Sequence, residues 1–92
     1  MLFLARMDIH FPPHLGAEEI SRLQGLEKEY SQGLQEDGRF AGIWRVVGEY
    51  ANYSLFDVES NDELHAILSA FPLYPYMKIK VTPLAKHPNS IR

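Results

Sequence analysis

No cysteine occurs among the 92 residues. That excludes disulfides, thiolate nucleophiles and cysteine-ligated zinc or iron–sulfur centres, and it suits a reducing compartment. Cations are scarce as well. Nine Lys+Arg stand against twelve Asp+Glu, a net charge of −3, and none of the cations forms a basic run that would track a phosphate backbone, so no nucleic-acid partner is expected. Long apolar runs are missing too. The opening Met1-Leu2-Phe3-Leu4-Ala5-Arg6-Met7-Asp8 meets charge too early for a secretory apolar region, and no stretch nears the roughly 20 residues that span a bilayer. The expected setting is cytoplasmic, with no membrane partner. There is no Gly-rich phosphate loop, Gly-x-Ser-x-Gly elbow or nucleotide fingerprint. His10, His14, His65 and His87 lack the spacing of metal ligands, so no metal site is expected.

What remains has the balance of an ordinary soluble domain, with 46% hydrophobic and 23% charged residues. One domain over residues 1–92 is expected. A chain this short buries only about 60–65% of its unfolded surface, a thin margin that a partner subunit would widen.

Leu2 to Asp8 alternates Leu2 and Leu4 against Phe3, Ala5 and Met7, which reads as a strand covered on both faces. His10-Phe11-Pro12-Pro13-His14 then breaks regular structure, because proline fixes φ and removes a backbone donor. From Ala17 to about Glu36, Ile20, Leu23, Leu26, Tyr30 and Leu34 recur at helical spacing; Gly25 weakens this helix and Asp37-Gly38 ends it. Ile43 to Tyr50 and Tyr53 to Val58 are aromatic and β-branched runs, read as an antiparallel hairpin joined through Ala51-Asn52. Ser60-Asn61-Asp62-Glu63 reads as a capping box opening a second helix whose apolar face is Leu64, Ile67, Leu68 and Phe71. Tyr76 to Thr82 is a last strand, and Pro83 to Arg92 an irregular tail.

The order βαββαβ folds most economically as an α+β, ferredoxin-like split βαβ: a four-stranded antiparallel sheet with both helices on one face. The other face must then carry one of each neighbouring pair: Ile43 or Trp44, Val46 or Val47, Leu55 or Phe56. Either set is too apolar for water, so dimerisation through the sheet is expected.

Glu27 is the anomaly of the first helix. It lies four residues after Leu23 and three before Tyr30, in the apolar stripe, where a carboxylate is costly and its pKa rises. Such a group can serve as a general base or acid near neutral pH, or it can be a structural carboxylate paired with Arg6 or Arg45. Lys28, about 100° further round, reads as a solvated flank residue, and Glu19 as a partner of the helix dipole. Arg45, between Trp44 and Val46, points into an apolar face, either to clamp a carboxylate or to pair with Glu27 or Glu49. His10 leaves a strand end, where ligand contacts occur. Tyr50, Tyr53, Tyr74, Tyr76, Trp44 and Phe56 are core or interface aromatics, or the walls of a small apolar pocket.

Three blocks of wording carry more than pattern: Met1-Leu2-Phe3-Leu4-Ala5-Arg6-Met7, the run Trp44-Arg45-Val46-Val47-Gly48-Glu49-Tyr50-Ala51-Asn52-Tyr53-Ser54-Leu55-Phe56-Asp57-Val58, and Leu73-Tyr74-Pro75-Tyr76-Met77-Lys78-Ile79 with the ending His87-Pro88-Asn89-Ser90-Ile91-Arg92. Together they make the chain resemble the muconolactone Δ-isomerases from end to end. The resemblance implies a cofactor-free isomerase of the catechol branch of the β-ketoadipate pathway, converting muconolactone to 3-oxoadipate enol-lactone by a base-mediated proton shuttle through a dienolate. It also implies a ferredoxin-like subunit, a homodecamer built of dimers, and a tail that packs on a neighbouring subunit. On that reading Glu27 is the shuttle, Arg45 holds a carboxylate or enolate oxygen, and Tyr50, Asn52, Tyr53 and His10 are further substrate contacts. The resemblance departs at Ala41-Gly42-Ile43, where family members often carry a histidine shortly before the Trp-Arg pair. Two rival readings stand beside it: a chloromuconolactone dehalogenase starting from the same proton abstraction, and a non-catalytic small-molecule-binding module on the same scaffold.

Overall fold

A computed structural model describes residues 1–92. Strands β1 (Leu2–Ile9), β2 (Phe40–Arg45), β3 (Ala51–Asp57) and β4 (Met77–Leu84) alternate with helices α1 (Ala17–Glu36) and α2 (Asn61–Ser69), and a short 3-10 turn, Tyr74–Tyr76, leads into β4. The sheet order is β2-β3-β1-β4 with every neighbouring pair antiparallel. This is the expected split βαβ arrangement.

The register decides which side chains share a face. Phe3 pairs with Phe56, Ala5 with Ser54 and Met7 with Asn52, while Phe40 also pairs with Phe56. These residues share the side that packs against Leu34 of α1, Leu64, Ile67 and Leu68 of α2, and Phe71. Phe40 stacks on Phe56 with ring centroids 4.6 Å apart, and Phe71 meets both edge-on, a geometry that suits the quadrupoles of aromatic rings. Tyr30 belongs to the same layer and donates its hydroxyl to the Ile67 carbonyl at 2.8 Å. Its polar tip is thereby satisfied inside the core. Ser54, the one buried polar residue, donates to Asn52 Oδ1 at 2.7 Å.

The helix-start signal of α2 is half realised. Ser60 Oγ accepts from the Glu63 N–H at 3.0 Å, a contact that typically stabilises a helix by about 1 kcal/mol. No return bond from the Glu63 carboxylate to the Ser60 backbone forms.

Several boundaries differ from the sequence expectation: β2 runs from Phe40 to Arg45 in place of Ile43 to Tyr50, and α2 ends at Ser69, so Phe71 joins the core from beyond the helix. The hairpin turns at Val46–Tyr50, and Ala51-Asn52 is the start of β3, paired with Asp8 and Met7 of β1. The apolar Val46-Val47 run imitates strand, but Gly48 sits at φ 84°, a left-handed conformation that glycine adopts without a Cβ clash. The Val46 N–H therefore closes the turn on the Ala51 carbonyl at 3.0 Å, and Val47 is left at the tip, 96% exposed. At the other end, β4 continues to Leu84, so the irregular tail begins at Ala85 and not at Pro83. Proline fits there because β4 is an edge strand with no further neighbour to receive its missing donor.

No helix covers the opposite face, which carries Leu2, Leu4, Arg6, Tyr53, Leu55, Trp44 and Lys80. Trp44 is 57% exposed and its ring lies on Gly42 so closely that a Cβ there would stand 2.6 Å from Cη2. Glycine at 42 is what lets the indole lie down on the sheet. No helix is long and apolar enough to cross a membrane.

Candidate active site

Helix α1 presents Gln24, Glu27, Lys28 and Ser31 at i, i+3, i+4 and i+7, one face by helical geometry. That face looks across a cleft of about 980 Å³ at Ile43 and Arg45 ending β2, the turn residues Gly48, Glu49 and Tyr50, Ala51 and Asn52 opening β3, and Ile9 ending β1. Leu73, from the connection after α2, closes one side.

Glu27 is half-buried. Its Oε2 accepts from the Leu73 N–H at 3.2 Å, and its Oε1 is buried without a partner. Burial penalises the charged form more than the single Leu73 hydrogen bond favours it, so the carboxyl is pushed up to about 7. No cation pairs with it. Arg6 is engaged with Asp8 and Glu49. Neither Arg45 nor Lys28 makes a salt bridge in the chain, although both border the cleft. The Tyr50 hydroxyl accepts from Gln24 Nε2 at 2.7 Å, bridging α1 to the turn, and its ring meets Phe11 edge-on at 6.0 Å. Asn52 uses its carbonyl on Ser54, so its amide N–H groups have no protein partner.

Glu27, Arg45, Tyr50 and Asn52 thus come together, and Tyr53 and His10 do not. Side chains alternate along a strand, so placing Asn52 on the cleft sends Tyr53 through the sheet to the opposite face, where it borders a small depression with Leu4, Arg6, Lys80 and Thr82. His10 is exposed beyond the end of β1, its backbone N–H bound to the Tyr76 carbonyl at 2.8 Å, and it is not part of the cleft wall. Sequence reasoning read Lys28 as a solvated flank residue and passed over Gln24 and Leu73; Lys28 is exposed but also borders the cleft. The helical spacing of 24, 27, 28 and 31 held a signal for the first two; the Leu73 backbone donor held none.

Chemically, the cleft offers a carboxyl able to take and return a proton near neutral pH, two unpaired cations, and amide and phenol groups. No three His, Cys, Asp or Glu side chains gather anywhere in metal-binding proximity. The set suits proton transfer within a small anion.

A family profile described as muconolactone delta-isomerase matches residues 1–90. The muconolactone delta-isomerase of Cupriavidus pinatubonensis (strain JMP 134 / LMG 1197) is 58% identical over 92 residues, covering 100% of both chains. Muconolactone delta-isomerase 1 of Acinetobacter lwoffii is likewise 58% identical, over 100% of this chain and 96% of its own. A crystal structure of muconolactone isomerase superposes with a TM-score of 0.95 at 43% identity, covering 100% of this chain and 96% of that one. Likeness of this extent in both sequence and backbone places the chain in the muconolactone delta-isomerase family.

Proposed function

We propose that this chain isomerises muconolactone to 3-oxoadipate enol-lactone without a cofactor, using Glu27 as the proton shuttle. The observation that carries the reading is the Glu27 carboxyl: one oxygen fixed by the Leu73 N–H, the other unpaired, in a cleft beside unpaired cations. The substrate is a butenolide with an acetate arm. Glu27 as carboxylate removes the ring proton at the carbon bearing that arm. The electron pair moves through the ring double bond onto the lactone carbonyl oxygen, giving a dienolate. Glu27, now protonated, returns the proton to the carbon next to the carbonyl, and the double bond is left one position further round the ring. A group titrating near 7 is suited to both halves, because neither donation nor removal is strongly uphill. Arg45 holds the acetate carboxylate, and Lys28 with the Asn52 amide supplies positive potential to the dienolate oxygen. Tyr50, held by Gln24, braces the turn that carries Arg45.

The test is a proton NMR time course of the EDTA-treated protein with muconolactone in D₂O, repeated with 5-chloromuconolactone. Enol-lactone formation is the expected result. Chloride release from the chlorinated lactone without double-bond migration in the parent would make the chain a dehalogenase, and binding without turnover would leave it a small-molecule-binding module.

The reading extends to assembly in the cytoplasm. A second copy covers the exposed sheet face with Trp44, Leu2 and Tyr53, the dimers build a decamer, and the tail after Leu84, with Ile91 at 93% exposure, packs on a neighbouring subunit. Burying such apolar surface is the ordinary remedy for a small core. Sedimentation velocity is expected to give a multimer; a species of 10.6 kDa at working concentration overturns the assembly and leaves the cleft unaffected.

A further inference from the structure

Arg6 projects from β1 on the face opposite the cleft, yet it reaches round the sheet to a residue of the cleft wall. Its Nε and Nη2 grip both oxygens of Asp8 at 3.1 Å, Nη1 donates to the Tyr53 hydroxyl at 3.4 Å, and the guanidinium lies 5.4 Å from the Tyr53 ring centroid. Fixed by these contacts, Nη2 also binds Glu49 Oε1 at 3.0 Å. Glu49 belongs to the same turn that Arg45 enters, and both border the cleft. Arg45 has no carboxylate partner, and Glu49 is the nearest carboxylate to it along the chain.

We propose that Arg6 is a positioning residue that withholds Glu49 from Arg45, keeping the Arg45 guanidinium free for the carboxylate of the substrate. An unrestrained carboxylate four residues from a guanidinium across a tight turn is an internal competitor for any anionic ligand. Glu49 takes no part in the proton transfer, and Arg6 touches no substrate. The inference rests on the reading of Arg45 as the acetate anchor.

The experiment is steady-state kinetics with muconolactone for the wild-type chain and for Arg45→Gln, Arg6→Gln and Arg6→Gln/Glu49→Gln. An exposed ion pair of ordinary strength would raise KM roughly three- to fivefold in Arg6→Gln with little change in kcat, and adding Glu49→Gln is expected to bring KM back toward the wild-type value. Glu49→Gln alone, where Arg6 already holds the carboxylate away from Arg45, is expected to leave KM near the wild-type value; a fall in KM as large as that seen on adding it to Arg6→Gln would make the rescue a general charge effect and overturn the proposal. If Arg45→Gln leaves KM and kcat/KM unaltered, the anchor reading itself falls. If Arg45→Gln raises KM but Arg6→Gln does not, or the double variant keeps the raised KM, the anchor stands and the role of Arg6 is overturned. Arg6→Lys, alone and with Glu49→Gln, covers the case in which Arg6→Gln does not fold. A lysine cannot clasp Asp8 at both oxygens while holding Glu49, so a smaller rise, again removed by Glu49→Gln, is expected; a rise that persists overturns the proposal.

Discussion

Replacing Glu27 by Gln is expected to lower kcat by about 10²–10⁴-fold, the usual contribution of a positioned general base, while the protein stays folded. The amide keeps an oxygen for the Leu73 N–H but can neither take nor return a proton. The pH profile supplies an independent readout. If Glu27 is the base it is active as the carboxylate, so kcat/KM of the wild-type chain should rise about tenfold per pH unit below the inflection and level off above about 7. The residual rate of Glu27→Gln should lack that inflection. Stability should move the other way. The carboxyl lies above its ordinary value of 4.5 in the folded state, so the folded chain binds this proton more tightly than the unfolded one. The stabilisation from the neutral form is complete below the unfolded value and lost as pH rises through about 7. Glu27→Gln should therefore match wild type in acid and exceed it by roughly 1–3 kcal/mol at alkaline pH, discounted for partial exposure. Chemical denaturation at both pH values measures this. A folded variant with near-normal turnover removes Glu27 from the base role.

That carboxylate was legible because helical geometry is rigid. Once Leu23, Tyr30 and Leu34 define a stripe, the position of Glu27 within it follows, and α1 spans the expected residues despite Gly25. Strands are less forgiving, because a shift of one residue exchanges faces. Setting the hairpin turn at Ala51-Asn52 left Asn52 and Tyr53 together as substrate contacts and could not choose between Ile43 and Trp44, or between Leu55 and Phe56. The real turn, fixed by Gly48, makes Asn52, Ile43 and Phe56 one set and Tyr53, Trp44 and Leu55 the other. Backbone donors and contacts between distant segments left no mark in the sequence. The Leu73 N–H on Glu27 spans 46 positions and the Arg6–Glu49 pair spans 43. Arg6, a possible partner of Glu27 by charge alone, serves Asp8 and Glu49 instead. Gly42 had a visible counterpart in Trp44, two residues along the same strand and so on the same face, although the ring's descent onto it was not to be read from spacing.

Substituting Arg45 by Gln is expected to reduce kcat/KM by roughly 10- to 150-fold, the range spanned by a lost charge-assisted hydrogen bond. Where that loss falls identifies the oxygen that Arg45 holds. The acetate carboxylate carries the same charge before, during and after the double-bond shift, so an anchor on it stabilises ground state and transition state alike, and its removal raises KM with kcat nearly constant. The dienolate oxygen gains its charge only as the proton leaves, so a contact there would appear in kcat. Arg45 ends β2 without a salt bridge of its own, so its guanidinium can meet an anionic oxygen without an internal pair being broken first. Arg45→Lys should recover part of the loss, because charge is kept while the bidentate fork is not. A butenolide with methyl in place of the acetate arm gives the sharpest comparison. Its turnover should be slow with the wild-type chain and indifferent to Arg45→Gln; a methyl lactone still penalised by the substitution would move Arg45 from the acetate arm to the dienolate oxygen.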